Sequence, residues 1–412
     1  MNAASTTLHP STGSIAEFQK YVMNTYARFP IAIAKGQGCR VWDTDGKAYL
    51  DFVAGIATCT LGHAHPRMIE VVSQQIQTLH HVSNLYYTEA QGKLAKWLVE
   101  NSCADKVFFC NSGAEANEAA IKLARKYAHV QLGIAEPVIL TAHASFHGRT
   151  LATITATGQP KYQVNFDPLV PGFDYIVYND LSAVLAKLEQ YQGRVCAVML
   201  EALQGEGGVC PGDRTYFQQL ESICRERNIL LILDEVQVGM GRSGKLWGYE
   251  NLGIQPDIFT SAKGLGGGIP IGAMLCRSNC DVFAPGDHAS TYGGNPFACA
   301  VALQVCETLV QDNLIANARE RGEQLQAGLR AIVHDYPQLF KEVRGWGLIQ
   351  GLVLQPEGNL EARAIVQECL AQGLLLVPAG NKVVRFVPPL IVSSAEIDQA
   401  VAIVVAAVRA LL

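Results

Sequence analysis

The sequence has no apolar run of membrane-spanning length; its apolar closing stretch, Val401 to Leu412, is too short to cross a bilayer and reads as a last helix. The N-terminus, Met1 to Gly13, is polar, rich in Ser and Thr and free of arginine. It lacks the apolar core of a signal peptide, and a frayed tail is expected there. Charge is sparse: 17% of the 412 residues are charged and the net charge is -5, which gives no reason to expect nucleic acid or an anionic membrane as partner. The 12 cysteines lack the paired spacing of a zinc site, no histidine cluster accompanies the Cys276 and Cys280 pair, and no metal is expected. Most other cysteines fall in apolar runs such as Val107-Phe108-Phe109-Cys110, which predicts reduced core thiols and a cytoplasmic protein. No Gly-x-x-x-x-Gly-Lys-Ser/Thr loop occurs, so the Asp234-Glu235 pair is not part of a Walker site. The glycine run after Lys263 has Ile269 where a dinucleotide fingerprint needs its last glycine. No internal repeat or low-complexity linker appears.

What the chain does have is glycine, 38 in all, and 49% hydrophobic residues, as suits an α/β protein with many tight strand-to-helix turns. Its length points to two closely packed domains. Short apolar strands are predicted at Val107–Cys110, Val138–Thr141, Val195–Leu200, Ile229–Leu233, Asp257–Thr260 and Gly272–Cys276, alternating with amphipathic helices. That alternation implies a mostly parallel sheet covered on both faces. Ahead of it, Ile15 to Tyr26 has helical spacing, Cys39 to Phe52 reads as a hairpin turning at Asp45-Gly46, and Pro66 opens a helix to about Leu79. After a long helix from Pro296 to Leu309 the pattern becomes mixed. The expected division is an N-terminal segment (1–75) belonging to a small α+β domain, a large domain (76–305) and the rest of the small domain (306–412).

In such a sheet ligands collect beyond the carboxyl ends of the strands, so the polar residues just after each strand are candidates. One stretch stands out: Thr260-Ser261-Ala262-Lys263-Gly264-Leu265-Gly266-Gly267-Gly268-Ile269-Pro270. A lysine closing an apolar run before a glycine-rich turn suits Schiff-base chemistry, because glycines let the backbone approach a bulky ligand; a solvated lysine on a turn is the plain alternative. Asn111-Ser112-Gly113-Ala114-Glu115 opens a helix and is either a phosphate cradle or an ordinary serine cap. In Ser145-Phe146-His147-Gly148-Arg149, the phenyl ring suits a planar ligand and the guanidinium a carboxylate; a core aromatic and a salt-bridged arginine are equally compatible. Asp234 ends an all-apolar strand and is costly there unless paired, for which the pyridinium nitrogen of pyridoxal phosphate is a matching cation. His63 and His65 lack carboxylate or cysteine neighbours at ligand spacing and are assigned structural roles.

Together the segments Asn-Ser-Gly-Ala-Glu-Ala-Asn-Glu-Ala, Phe-His-Gly-Arg-Thr, Asp-Glu-Val-Gln, Ser-Ala-Lys-Gly and Ser-Thr-Tyr-Gly-Gly-Asn-Pro resemble the class III pyridoxal-phosphate aminotransferases, from Gly38 to Pro389. Asp51 to Ala57, Gly62 to Pro66, His81 to Tyr87 and Phe146 resemble the members that use N2-acetylornithine. The resemblance implies a fold-type-I α/β enzyme with pyridoxal 5'-phosphate as cofactor. Lys263 would carry the cofactor and move the proton. Asp234 would hold the ring nitrogen, Val236 and Phe146 the ring faces, Gln237 the phenolic oxygen, and Ser112, Gly113 and Ala114 the phosphate. Thr291 would complete that phosphate site from the partner subunit of a homodimer with shared active sites, and Ser290 would touch substrate. Arg149 would grip the distal carboxylate of N2-acetylornithine, and Arg385 the α-carboxylate of 2-oxoglutarate or glutamate. Glu201 would pair with Arg385 while an ω-amine donor is bound. Two departures stand out: Cys59 replaces a common asparagine, and Ile56 stands where ornithine-using relatives have a tyrosine for the free α-amino group. Ile56 argues against ornithine. γ-Aminobutyrate and succinylornithine remain open as substrates of a broader ω-amine transaminase. Glutamate-semialdehyde aminomutase is disfavoured because two arginines suit a two-substrate exchange, and a non-catalytic protein is disfavoured by the intact Lys263 and Asp234.

Overall fold

The computed structural model describes residues 10–412. A seven-stranded sheet lies at its centre, in the spatial order Lys106–Cys110, Gly272–Cys276, Ile258–Ser261, Leu230–Asp234, Val195–Glu201, Val138–Ala142 and Phe173–Ile176. All strands run one way except Gly272–Cys276, which is antiparallel to both neighbours. The all-apolar strands arise because side chains alternate between two buried faces. Leu230 and Ile232 join one core with Ile121 and Leu123 of the helix Gly113–Gln131; Leu231 and Leu233 join the other with Phe217 and Leu220 of the helix Arg214–Glu226. Burying one such side chain stabilises the fold by roughly 1.5–3 kcal/mol. The expected strands are present with ends shifted by a residue or so. The edge strand Phe173–Ile176 was not foreseen, because Phe-Asp-Tyr-Ile is half-buried and offers no continuous apolar run.

The expected hairpin is present, but it belongs to a larger sheet. Ile33–Gln37, Arg40–Asp43 and Ala48–Asp51 run antiparallel in turn, and Leu374–Leu375 adds in parallel to the last. Asp43 builds the turn: its Oδ1 accepts from the amides of Asp45 at 3.0 Å and Lys47 at 2.8 Å. Residues far apart in sequence thus share one small sheet. A second one, of Phe340–Trp346, Ile349–Leu354, Val383–Phe386 and Val377–Pro378, packs against the helices Leu314–Asp335 and Ala362–Ala371, and Ser394–Ala410 lies against those two helices.

The first helix runs from Pro10 to Tyr21, not from Ile15 to Tyr26. Phe18, Tyr21, Val22 and Met23 meet no core, and Arg28 folds back over the rings of Phe18 and Tyr26, so nothing holds residues 22–26 in a helix. Of the tail expected over Met1 to Gly13, residues 1–9 lie outside the described residues, and 10–13 begin this helix. All 12 cysteines are free thiols, most of them buried. Among the described residues no helix is long and apolar enough to cross a membrane.

Candidate active site

Beyond the carboxyl ends of the central strands lies a cavity of about 440 Å³. Its wall brings together Ser112, Gly113, Ala114, Phe146 and Arg149 with Glu201, Asp234, Val236, Gln237 and Lys263. Lys263 follows the strand Ile258–Ser261 and opens a single 3-10 turn. Its φ is 37°, a left-handed conformation that costs a non-glycine residue of order 1–3 kcal/mol. The turn then closes so tightly that a Cβ on Gly266 would stand 2.0 Å from the carbonyl oxygen of Ile269. Lys263 Nζ has no hydrogen-bond partner among the described residues, while its carbonyl accepts from Gly266 N at 3.2 Å. Enclosure in the pocket, reinforced by Arg385, lowers its pKa to about 8.

Asp234 sits where Leu230–Asp234 ends, in register with Glu201 on the neighbouring strand. Its Oδ2 accepts from Asn117 Nδ2 at 2.7 Å and His147 Nδ1 at 2.9 Å, and its Oδ1 from Val236 N at 3.0 Å. A carboxylate offers about four acceptor positions, so one remains at the cavity wall. Burial opposes a charge on His147, but the Asp234 hydrogen bond and the Asp234 and Glu201 charges outweigh it, and its pKa is raised. Asn117 and His147 were not singled out from the sequence. Asn117 had a signal: it lies one helical turn after Gly113 as a polar residue on an alanine-rich face that is buried.

The helix Gly113–Gln131 presents its N-terminus to the cavity, with Ser112 as its cap: Ser112 Oγ accepts from Glu115 N at 3.2 Å. Gly113 packs flush on Val236, because a Cβ there would lie 2.7 Å from Val236 Cγ1. The cavity wall therefore carries a helix N-terminus suited to a phosphate, a carboxylate with spare acceptor capacity, an aromatic ring and an amine without a partner. These features fit pyridoxal phosphate.

Arg385 is buried on the strand Val383–Phe386. It does not pair with Glu201. Arg385 Nη2 bonds Glu206 Oε2 at 3.0 Å, and Nη1 donates to Gln237 Oε1 at 3.1 Å. Glu201 stays in the cavity wall instead, accepting from Phe146 N at 3.1 Å and Gly205 N at 3.4 Å. Burial pushes its pKa up to about 7. The turn at Gly205 carries the chain away from the strand end, so the carboxylate that reaches Arg385 comes five residues later. Gln237 thus serves Arg385 as well as the cavity. Arg149 has no carboxylate partner among the described residues; its guanidinium lies 3.9 Å from the ring centroid of Tyr162 and 5.5 Å from that of Phe146.

Ser290 and Thr291 do not line this cavity. They line a separate hollow of about 520 Å³ with Glu115, Glu118 and Lys122, where Ser290 Oγ accepts from Asn111 Nδ2 at 3.1 Å and Gly293 N at 2.9 Å. Ala54 to Ala57 form a left-handed turn, with φ of 61° at the β-branched Ile56, and the adjoining Thr58 faces the cavity. Burial pushes the Cys59 thiol up to about 11, so it is neutral near pH 7. His63 takes the structural role expected of it: its Nε2 bonds Asp51 Oδ2 at 2.8 Å.

The model of the family "Aminotransferase class-III" matches residues 21–408. An acetylornithine aminotransferase of Thermosynechococcus vestitus is 67% identical over 386 residues, covering 93% of this chain and 94% of that protein. Among solved structures, the N-acetylornithine aminotransferase of Stenotrophomonas maltophilia superposes with a TM-score of 0.82 at 38% identity, covering 96% of this chain and 99% of that one. An ornithine aminotransferase of Toxoplasma gondii, described with PLP at partial occupancy in its active site, superposes with a TM-score of 0.93 at 33% identity, covering 97% and 95%.

Proposed function

Because the chain belongs to the class III aminotransferases and is a pyridoxal-phosphate-dependent transaminase, we propose that it moves the ω-amino group of N2-acetyl-L-ornithine to 2-oxoglutarate. The products are N-acetyl-L-glutamate 5-semialdehyde and L-glutamate, in cytoplasmic arginine synthesis. The bound cofactor supplies an electron sink that makes the C–H bond beside the transferred nitrogen acidic. Lys263 would hold the cofactor, and its Nζ would take the proton from the donor's ω-carbon and deliver it to the cofactor, with the reverse transfer serving the acceptor. Asp234, steadied by Asn117 and His147, keeps the ring nitrogen protonated. Ser112, Gly113 and Ala114 hold the phosphate; Val236 and Phe146 enclose the ring; Gln237 serves the phenolic oxygen. Thr291 and Ser290 act in the partner's site. The exposed apolar side chains of Tyr21, Met23, Leu85, Tyr86, Tyr87 and Tyr292 support a homodimer.

The observation that carries the substrate reading is the pairing of Arg385 with Glu206. With Arg385 neutralised, Arg149 is the arginine left to take the carboxylate of the acetylated donor, which sends the distal amine towards Lys263. 2-Oxoglutarate has two carboxylates and uses both arginines, displacing Glu206. Ile56 offers no hydrogen bond to a free α-amino group, in keeping with an acylated donor. Single-turnover spectroscopy of an Arg385→Ala variant tests this. The half-reaction with acetylornithine should persist, and that with 2-oxoglutarate should slow by at least about a hundredfold, the loss of a charged hydrogen-bonded pair. Equal impairment of both halves would overturn the reading.

A further inference from the structure

The contacts around Arg385 continue to Tyr162, which no step above uses. Tyr162 lies in the short helix Pro160–Gln163. Its hydroxyl donates to Glu206 Oε1 at 3.3 Å, while Glu206 Oε2 pairs with Arg385. The Arg149 guanidinium lies 3.9 Å from its ring centroid, and the ring meets Phe146 edge-on at 5.8 Å. Lys161 Nζ lies 4.7 Å from the same ring. One side chain therefore touches both halves of the substrate-binding charge system.

Its platform is fixed at both ends. Gln159 Nε2 donates to Ser145 O at 2.8 Å, and Gln163 Nε2 to Thr157 O and Tyr175 OH, both at 2.9 Å. A tyrosine held this firmly orders a flexible arginine through its ring face, by cation–π attraction. Its hydroxyl meets a second need. Glu206 is only partly exposed, so a fixed donor lowers the cost of driving its carboxylate off the buried arginine.

We propose that Tyr162 is the specificity-determining residue that couples the two arginines. Its ring holds Arg149 ready for the donor's carboxylate, and its hydroxyl retains Glu206 when a dicarboxylate takes Arg385. This rests on the two-arginine reading above. It explains why one site accepts a monoacid donor and a diacid acceptor in turn: Glu206 has a hydrogen-bond donor in both states.

The test uses glutarate, a five-carbon dicarboxylate with neither amine nor ketone, so that binding is read without chemistry. Its Kd is measured by calorimetry on the cofactor-loaded wild type and on Tyr162→Phe, Tyr162→Leu and Arg385→Ala variants. Tyr162→Phe keeps the ring and should weaken glutarate about tenfold, the scale of one hydrogen bond to a charged group. It should raise the KM for acetylornithine much less. Tyr162→Leu should weaken both ligands. Wild-type affinity for glutarate in Tyr162→Phe, with binding still dependent on Arg385, would overturn the role of Tyr162 alone. Binding indifferent to Arg385→Ala would overturn the two-arginine reading and this inference with it.

Discussion

Lys263 concentrates the features of a reactive amine: a left-handed backbone, an Nζ without a hydrogen-bond partner among the described residues, and a pKa lowered to about 8 by enclosure. The sign of the pH effect follows from the direction of that shift. Below 8 the amine is protonated and cannot attack an aldehyde, and the neutral fraction falls about tenfold per unit. The rate of pyridoxal phosphate capture by cofactor-free protein should therefore rise with pH and level off above about 8. Stopped-flow absorbance checks this; a flat rate between pH 6 and 9 would mean that the enclosure of Lys263 does not set its reactivity. Lys263 was legible from the sequence because glycines crowd its carboxyl side. Glu206 was not, because the five residues separating it from Glu201 say nothing about which carboxylate the turn delivers to Arg385. Tyr162 was invisible for another reason: a four-residue helix carries no periodic pattern.

At the scale of elements, the helix Gly113–Gln131 serves twice, as a wall of the core and by presenting its N-terminus to the cavity. Both sequence readings of Ser112, cap and phosphate ligand, are compatible with its geometry, and one substitution separates them. Ser112→Ala should lower stability by about 1 kcal/mol through loss of the cap, seen as a fall in Tm. It should also speed cofactor loss on dialysis. A fall in Tm with unchanged retention would leave Ser112 as a cap alone. The buried strands were readable because helices on both faces demand unbroken apolar runs. The edge strand Phe173–Ile176 and the displaced first helix were not: only Ile176 of the strand is buried and Asp174 breaks its apolar run, and Phe18 and Tyr21 of the helix are exposed.

At the scale of the whole molecule, Tyr21, Met23, Leu85, Tyr86, Tyr87 and Tyr292 expose large apolar side chains. Ser290 and Thr291 stand outside the cavity that holds Lys263. Both facts are accounted for if two copies share their sites. Light scattering should then give twice the 44.5 kDa chain mass, and Thr291→Ala should weaken cofactor retention. A monomer with full activity would contradict that assembly. On the proposed reading, the cavity, the paired Arg385 and Arg149, which has no carboxylate partner among the described residues, would serve one monoacid amine donor and one diacid acceptor. The most direct measurement is kcat/KM with 2-oxoglutarate for N2-acetylornithine, ornithine and γ-aminobutyrate. A preference for acetylornithine of at least about tenfold, of the order a shaped pocket provides, is the predicted result. Equal efficiency on γ-aminobutyrate would contradict the assignment of the donor while leaving the cofactor site intact.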